Sequence, residues 1–474
     1  ASAAWWKTVW QRSDIKIEGD DLNQQGIRFC IFQMHQTYHG AEPSSVIGAK
    51  GLTGEVYNGN TFWDTETYCL PFYIFNNPQA AKSLLMFRYT TLDKARARAK
   101  QLDCDGAFYP IATIGGEECC TLWQHSNLQL QASTAVAYGI WHYVHVVGDT
   151  DFLYAYGAEM LVEISRMLAS RCDCDPRTGR YGYYGVMGPD EFQMMVNHNC
   201  YTNFVGRETL RYTLDTLAAM RKDASGAYTA LMLKLGLSEY EGERWNEIAG
   251  KMYIPYDEDT ALFEQHEGYF GLPHIDVDKI PTEQFPLYHH WSYDRIYRND
   301  MIKQPDVLML MLLYNARFTR EQKLANYEFY EPRCIHESSL SPSVHSILAC
   351  ELGRYDDALR FFGFATRMDI DNYNRNSGEG LHTTSIAAAW MNIVYGFAGM
   401  RSDGELLSFA PILPAKWSAY SFTLVAGEGE LAITVKPDAV SFTLSGAERL
   451  EIAVYGQRYW VGKQGVDVSL KSIE

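Results

Sequence analysis

The stretch GVMGPDEF, residues 185–192, and the segment NHNCYTN at residues 197–203 organise the predicted fold. The Gly-Pro turn breaks regular structure and then presents two adjacent carboxylates. Thr202 or Asn203 is predicted to cap the helix that follows. From the residue types alone, a surface loop in which Pro-Asp only shapes a turn is the commoner interpretation, so the rest of the chain decides between the two.

Helical periodicity covers most of the chain on both sides of this stretch. Roughly a dozen helical runs are predicted between residues 20 and 400. Long loops, Gly-rich at 40–60 and aromatic at 253–300, separate some of them, and loops of this length often carry function. A dozen helices with long loops favour an α/α toroid whose loops gather at one end, although other all-α arrangements fit the helix count equally well.

The periodicity changes near Gly399. Beyond this point apolar and polar residues alternate with a period of two, and Gly or Pro separates most of the runs. The alternating runs are Phe422–Val425, Leu431–Val435, Val440–Leu444, Leu450–Val454 and Val466–Leu470. This pattern predicts a small antiparallel β domain at the end of the chain.

Charge and cysteine usage limit the partners and the compartment. The formal net charge of -17 argues against nucleic acid and anionic membrane as general partners, and no apolar run reaches transmembrane length. The ten cysteines show no C-x2-C zinc spacing. Free buried thiols in a reducing compartment are therefore expected, so we predict a cytoplasmic protein.

Glu191 is the candidate for proton transfer. Breaking a glycosidic bond requires a protonated carboxylic acid beside the leaving oxygen, held on a backbone that does not drift. A Gly-Pro turn followed by short amides is suited to holding such a group in place. The aromatic content of 14% would also suit the C–H faces of sugars, although core packing explains it equally well.

Several motifs, in order from about residue 15 to 415, resemble glycoside hydrolase family 65. They are Gly26–Phe29, Gln33, Gln36-Thr37, Gly48–Glu55, Phe62–Glu66, Leu70–Tyr73, Gly188–Glu191, Tyr201–Asn203, Lys303–Val307, His336–Pro342 and Glu379–His382. The resemblance implies a mainly α protein, an (α/α)6 barrel followed by a small antiparallel β domain. We expect a lead-in or linker helix at 1–20, the barrel catalytic domain at 21–402 and the β domain at 403–474.

The resemblance starts near residue 15, so the N-terminal β-sandwich of that family is expected to be absent from this chain. Because the chain also opens at Ala1 rather than Met, we expect an N-terminal portion to be absent from it. The family consists mainly of inverting disaccharide phosphorylases that act on maltose, trehalose, kojibiose or nigerose, with a minority of hydrolases. The resemblance thus implies phosphorolysis of an α-linked glucosyl disaccharide to β-glucose 1-phosphate and a free acceptor. It implies inorganic phosphate as co-substrate, no metal or organic cofactor, and a possible homodimer.

The resemblance also assigns roles to residues of the site. Glu191 matches the general acid, and its pKa is expected to be raised by burial or by Asp190. Trp63 would pack against the transferred glucose, and Asp64 would bind its hydroxyls. A helix start with a buried aromatic residue is the alternative for that pair.

The remaining matches belong to substrate and phosphate binding. Lys303 and Gln304 match substrate-binding positions at a phosphate pocket that also contains Ser338, Ser339 and His382. A cation and hydroxyl donors suit an anion with several acceptor oxygens. The alternatives are helix capping for the two serines and a hydrogen-bonded core residue for the histidine.

Two rival functions stay open. A hydrolase of the same fold would need a second carboxylate, for which Glu337 or Glu379 is available. An inert carbohydrate-binding protein is the other rival, and it is disfavoured by the retained Glu191, Asp64 and Lys303.

Two parts of the sequence differ from maltose phosphorylases as we align them. They are the stretch 120–131, which contains Gln131, and the positions Met194, Met195 and His198. These positions are expected to line the acceptor side, so the acceptor sugar is left open.

Overall fold

The computed structural model describes residues 2–471, and α-helices dominate this part of the chain. The helices are α1 (Ser2–Ser13), α2 (Asp21–Thr37), α3 (Leu70–Asn76), α4 (Pro78–Thr90), α5 (Leu92–Gln101), α6 (Trp123–Leu128), α7 (Gln131–Val147), α8 (Thr150–Phe152), α9 (Ala158–Arg171), α10 (Cys200–Asp223), α11 (Ser225–Leu235), α12 (Glu239–Lys251), α13 (Leu287–His290), α14 (Tyr293–Ile296), α15 (Val307–Leu313), α16 (Arg320–Tyr330), α17 (Ser341–Leu352), α18 (Tyr355–Arg367) and α19 (Thr383–Met391). Wider π-helical turns adjoin α3, α9 and α19; they are Thr65–Cys69, Leu153–Gly157 and Asn392–Phe397.

Two concentric layers of helices form a closed barrel. The inner helices contact one another in the order α3, α7, α10, α15, α17, α19 and back to α3. The outer helices α2, α4, α9, α12, α16 and α18 each pack against at least one inner helix. Inner helices are buried on nearly all sides, as Val307–Leu313 is throughout. Outer helices bury one stripe, as α16 does with Lys323, Asn326, Tyr327 and Tyr330. The predicted (α/α)6 barrel is confirmed.

Strands form the C-terminal part and a few short pairs in the barrel loops. They are β1 (Lys16–Glu18), β2 (Thr61–Phe62), β3 (Ala112–Thr113), β4 (Asp173–Cys174), β5 (Tyr181–Gly182), β6 (Tyr256–Asp257), β7 (Leu262–Phe263), β8 (Ser408–Phe409), β9 (Ala419–Ala426), β10 (Gly429–Val435), β11 (Ala439–Ser445), β12 (Leu450–Val454), β13 (Gln457–Val461) and β14 (Val466–Ser469). The larger sheet has the order β1-β9-β10-β11-β14 and is antiparallel, and the smaller has the order β13-β12-β8.

The antiparallel register places apolar residues on one face of the larger sheet. Ile433 lies opposite both Phe422 and Phe442, and all three are buried. This confirms the small antiparallel β domain. Strand β1 adds to it from the start of the chain, because Ile17 pairs with Tyr420. The domain limits 1–20, 21–402 and 403–474 stay predictions.

Within the described part of the chain, no helix combines the length and the apolar character needed to cross a membrane.

The predicted site residues precede the inner helices. Asp64 stands before the turn that leads into α3, Glu191 before α10, Lys303 before α15, Ser338 before α17 and His382 before α19. Contacts between these loops show that they meet at the same end of the barrel, as the next section describes.

Candidate active site

Asp190 anchors the turn that carries Glu191. Its side chain is fully buried and accepts three hydrogen bonds. The donors are the backbone N–H of Phe192 (3.1 Å), the backbone N–H of Lys303 (2.9 Å) and Nε2 of Gln265 (2.8 Å). Burial raises the pKa of Asp190 to about 7. The carboxyl group of Asp190 thus joins the loop before α10 to the loop before α15.

Asn199, rather than Thr202 or Asn203, caps helix α10, so the predicted cap was wrong. Its Oδ1 accepts from the backbone N–H of Thr202 at 2.8 Å. Asn203 is used elsewhere, since its Oδ1 accepts from the N–H of Tyr183 (3.1 Å). The prediction placed the cap three or four residues late because the Asn-His-Asn-Cys-Tyr-Thr-Asn segment offers several capping side chains.

The same asparagine also holds a second buried carboxyl. Asn199 Nδ2 donates to Oδ2 of Asp306 (3.0 Å), the residue before α15. Burial raises the pKa of Asp306 to about 8. Its Oδ1 has no hydrogen-bond partner among the described residues. Asn199, Asp190 and Asp306 therefore form a buried polar layer under the Gly-Pro turn.

Glu191 and Lys303 are in direct contact above this layer. Lys303 Nζ lies 2.5 Å from Oε2 of Glu191, and the two side chains are 21% and 28% exposed. Burial is the largest single influence on Glu191 and acts to raise its pKa. The charge and the hydrogen bond of Lys303, together with smaller contributions from His125 and Gln304, outweigh burial, so the net pKa lies below the ordinary value. The expectation of a raised pKa was therefore wrong. It considered burial and Asp190 and left out a cation from 112 residues further along the chain.

Trp63 and Asp64 lie at the start of the first inner helix. Trp63 is 6% exposed and packs edge-on against Tyr201, the second residue of α10. The Asp64 side chain does not cap the turn that follows it. Burial, reinforced by the charge of Glu191, raises the pKa of Asp64 to about 7. Asp64 thus lies within electrostatic range of Glu191 and is not engaged in helix capping.

Lys303 and Gln304 lie between the turn that carries Glu191 and the segment that contains Ser338 and Ser339. Gln304 Nε2 donates to the carbonyl of Pro189 (2.5 Å). On the other side, the backbone N–H of Ile335 donates to the carbonyl of Ile302 (2.9 Å). Ser338, three residues beyond Ile335, is buried at this end of the barrel, and Ser339 is half-buried beside it.

His382 is oriented by a carboxylate that the sequence did not point to. Its Nδ1 donates to Oδ1 of Asp369 (2.7 Å), and its backbone N–H donates to Oδ2 (2.8 Å). This arrangement leaves Nε2 of His382 as the nitrogen available to a ligand. Lys50 lies in the adjoining loop, where its Nζ donates to the carbonyl of Gly380 (3.1 Å).

The positions expected on the acceptor side have different surroundings. His125 lies within electrostatic range of Glu191, in agreement with a place near the site. Gln131 is buried, and its Nε2 donates to the carbonyl of Gly188 (3.0 Å), so it supports the turn from below. His198 packs between the rings of Tyr184 and Tyr253. Met194 is half-buried and Met195 is exposed.

Sequence reasoning missed the residues that support the site. They are Asn199, Gln265, Asp306 and Asp369. Two of them, Asn199 and Asp306, lie inside motifs quoted above, so their position in those motifs was an available signal. Gln265 and Asp369 lie outside every motif, and only the folded chain brings them to Asp190 and His382.

The closed double ring of helices, with a buried carboxyl layer and an acid–lysine pair at one end, defines an (α/α)6-barrel protein with a candidate active site at that end. Comparison with known proteins identifies its family. The glycosyl hydrolase family 65 central catalytic domain matches residues 28–391, and the C-terminal domain of the same family matches residues 400–461. The chain belongs to glycoside hydrolase family 65.

Named relatives resemble almost the whole chain. Maltose phosphorylase of Bacillus subtilis (strain 168) is 42% identical over 451 residues, which cover 95% of this chain and 59% of the relative. Alpha,alpha-trehalose phosphorylase of Thermoanaerobacter brockii is 39% identical over 457 residues, covering 96% and 59%. A solved structure named "Putative kojibiose phosphorylase from human microbiome" superposes with a TM-score of 0.94 at 50% identity, covering 98% of this chain and 64% of that one. The chain spans about three-fifths of the length of these relatives.

Proposed function

We propose that this chain carries the catalytic centre for inverting phosphorolysis of an α-linked glucosyl disaccharide or glucoside. The products are β-glucose 1-phosphate and a free acceptor, and inorganic phosphate is the co-substrate without a metal or organic cofactor. The observation that carries the proposal is the 2.5 Å contact between Glu191 and Lys303. It joins a proton donor to a cation that can bind an anionic nucleophile.

The contact explains how an acid with a lowered pKa can act as a proton donor. Lys303 is the main group that opposes the effect of burial on Glu191. When phosphate enters, its charge competes with Glu191 for the ammonium group of Lys303. Burial then prevails, the pKa of Glu191 rises, and the carboxyl group takes up the proton that it must deliver.

The chemical step conserves protons. Protonated Glu191 donates to the glycosidic oxygen while an oxygen of hydrogen phosphate attacks C1 from the opposite face of the sugar. The bond between C1 and the acceptor breaks, and a bond between C1 and phosphate forms with inversion. The phosphate proton then returns to Glu191, so the acid is restored for the next cycle. Phosphate is already an anion, so this step needs no second carboxylate as base.

The remaining residues supply binding. Ser338 and Ser339 precede helix α17, and His382 precedes α19, so free N–H groups of two helix starts lie in the same region as these side chains. We assign Lys303, Ser338, Ser339 and His382 to phosphate. Trp63, Asp64 and Gln304 are assigned to the sugar. The relatives named for maltose, trehalose and kojibiose support a transferred glucose.

The hydrolase alternative is less well supported. Glu337 accepts a hydrogen bond from the backbone N–H of Leu287, and burial raises the pKa of Glu337. One oxygen of Glu337 is thus engaged in holding the backbone of Leu287 rather than free to activate water. Glu379 is exposed and belongs to a short 3₁₀ turn.

The test is release of glucose 1-phosphate from maltose, trehalose, kojibiose and nigerose, with and without inorganic phosphate. We expect strict dependence on phosphate and formation of the β anomer. Glu191→Gln should abolish turnover with an unchanged circular dichroism spectrum, whereas Glu337→Gln, the matched carboxyl at the same end, should retain it. Free glucose at the same rate without phosphate would establish a hydrolase instead. Cytoplasmic location stays a prediction from the sequence, and a possible homodimer stays one that the family resemblance implies.

A further inference from the structure

Three side chains with metal-binding atoms cluster outside the proposed catalytic groups. They are Cys334, His336 and His345, and their ligand atoms lie within 4.8 Å of one another. Cys334 Sγ is 3.7 Å from Nδ1 of His336. Tetrahedral zinc with ordinary Zn–S and Zn–N bond lengths separates sulfur from nitrogen by about 3.5 Å. The pair therefore needs only a small adjustment to share one ion.

The orientation of His345 is the second observation. Its Nδ1–H donates to the backbone carbonyl of Ser341 at 2.8 Å, which leaves Nε2 with the lone pair. His345 is fully buried, and Nε2 has no hydrogen-bond partner among the described residues. A histidine that binds a metal usually donates its other N–H to a carbonyl or carboxylate in this way. Because no hydrogen-bond donor faces this buried lone pair, Nε2 of His345 is available to bind a cation.

A cavity gives access to the cluster. It has a volume of about 470 Å³, and Cys334 and His336 line it. Arg360 also lines it, but its guanidinium group pairs with Asp357 (2.9 Å) and Glu331 (3.5 Å), which offsets its charge.

We propose that Cys334, His336 and His345 form a binding site for a divalent cation of the zinc class. The sulfur binds as a thiolate, so each ion that enters releases the thiol proton to solvent, and the fourth coordination position faces the cavity. This site goes beyond the proposed function and does not depend on it. The sequence pattern did not suggest it, because one residue separates Cys334 from His336 and the third ligand comes from helix α17.

The position of the site predicts an effect on the neighbouring segment. Ser341 Oγ lies 3.1 Å from Nδ1 of His336 and donates to the carbonyl of Ser338 at 3.0 Å. A metal bound to His336 and His345 would therefore fix both ends of the chain from residue 336 to 345, which contains Ser338 and Ser339. We expect this segment to become more rigid in the metal-bound protein.

The test adds Co²⁺ and then Zn²⁺ to the full chain freed of metal by chelator. We expect one equivalent of Co²⁺ to give a thiolate charge-transfer band and the strong visible bands of four-coordinate cobalt, both removed by Zn²⁺. Cys334→Ser should abolish the charge-transfer band, and His345→Gln should weaken binding by about tenfold or more. Calorimetry in two buffers of different ionisation enthalpy should show release of about one proton per ion.

Two controls separate this site from other thiols. Cys350→Ser changes another buried cysteine in the same helix α17 as His345 and should leave the band unchanged. The double change of Cys119 and Cys120 to Ser removes the adjacent pair of cysteines and should also leave it unchanged. If the site variants fail to fold, hydrogen exchange is measured in the unaltered protein with and without Zn²⁺. We expect Zn²⁺ to slow the exchange of residues 334–345. No charge-transfer band in the folded protein, a band that survives Cys334→Ser, or unchanged exchange would overturn the proposal.

Discussion

Replacing Lys303 by Met tests the electrostatic origin of the Glu191 pKa. The variant keeps a long unbranched side chain but removes the cation that lies 2.5 Å from the carboxylate. Burial of Glu191 is left without its main opposing charge. An opposite charge at such a distance lowers a carboxyl pKa by about 1–3 units. We therefore expect the pKa of Glu191 to rise by a similar amount, which corresponds to roughly 1.4–4 kcal/mol.

A Coulomb calculation gives an upper limit for this range. Two unit charges at 2.5 Å interact by about 6.6 kcal/mol at an effective dielectric constant of about 20. The two side chains are 21% and 28% exposed, so solvent screens part of this interaction. The lower range of 1.4–4 kcal/mol is thus the appropriate expectation. The sign follows from the charge: without a cation nearby, the ionised form of Glu191 loses stabilisation and the pKa moves up.

Infrared difference spectroscopy can measure this shift without any turnover. The carboxylic acid band of Glu191 is obtained by subtracting the spectrum of the same protein with Glu191→Gln at each pH. The subtraction is necessary because Asp64, Asp190 and Asp306 also titrate near neutral pH. Lys94→Met, which removes an exposed lysine paired with Glu117, is the control for net charge.

In the unaltered protein, saturating phosphate should raise the midpoint of this band in the same direction as Lys303→Met. In the Lys303→Met variant, phosphate should have little further effect, since the cation that it competes for is gone. An unchanged midpoint in the variant would refute the reasoning, because burial would then not be balanced by Lys303. A midpoint that shifts equally with Lys94→Met would attribute the change to net charge alone.

Three other substitutions test the supporting structure. Asn199→Ala removes the cap of α10 and the hydrogen-bond donor to the buried carboxyl group of Asp306. We expect the free energy of unfolding to fall by about 1–3 kcal/mol and the thermal midpoint measured by calorimetry to fall with it. An unchanged midpoint would contradict the capping role. Arg88→Met leaves Glu66 buried without the guanidinium group that donates to it at 2.6 and 3.0 Å. We expect the free energy of unfolding, measured with urea, to fall by about 3–5 kcal/mol, and to fall by less in Arg88→Lys. A loss below about 1 kcal/mol would show that the pair is replaceable. Asp369→Asn should raise the KM for phosphate by about tenfold and change the maximal rate less, since His382 loses the carboxylate that orients it; an equal effect on the KM for the disaccharide would place His382 outside the phosphate pocket.

Local periodicity was sufficient to predict the helical segments and the change to strands, whereas the (α/α)6 arrangement of the helices was implied by the family resemblance. A period near 3.6 predicts helices because apolar residues must share one face, and a period of two predicts strands for the same reason. The alternating runs at Leu431–Val435 and Val440–Leu444 fall within β10 and β11, and the switch near Gly399 falls between the last barrel helix and β8. Glu191 was also predictable as a candidate, since a Gly-Pro turn before adjacent carboxylates is a local feature.

Tertiary structure decided what depends on residues distant in the chain. Strand β1 joins the C-terminal sheet across some four hundred residues, because Lys16 pairs with Ser421. The direction of the Glu191 pKa shift depends on Lys303, and the orientation of His382 depends on Asp369. A pKa is set by the balance between the loss of hydration and the charges that surround the group. The sequence by itself determined which segments form helices and strands, but only packing decided which charges become neighbours.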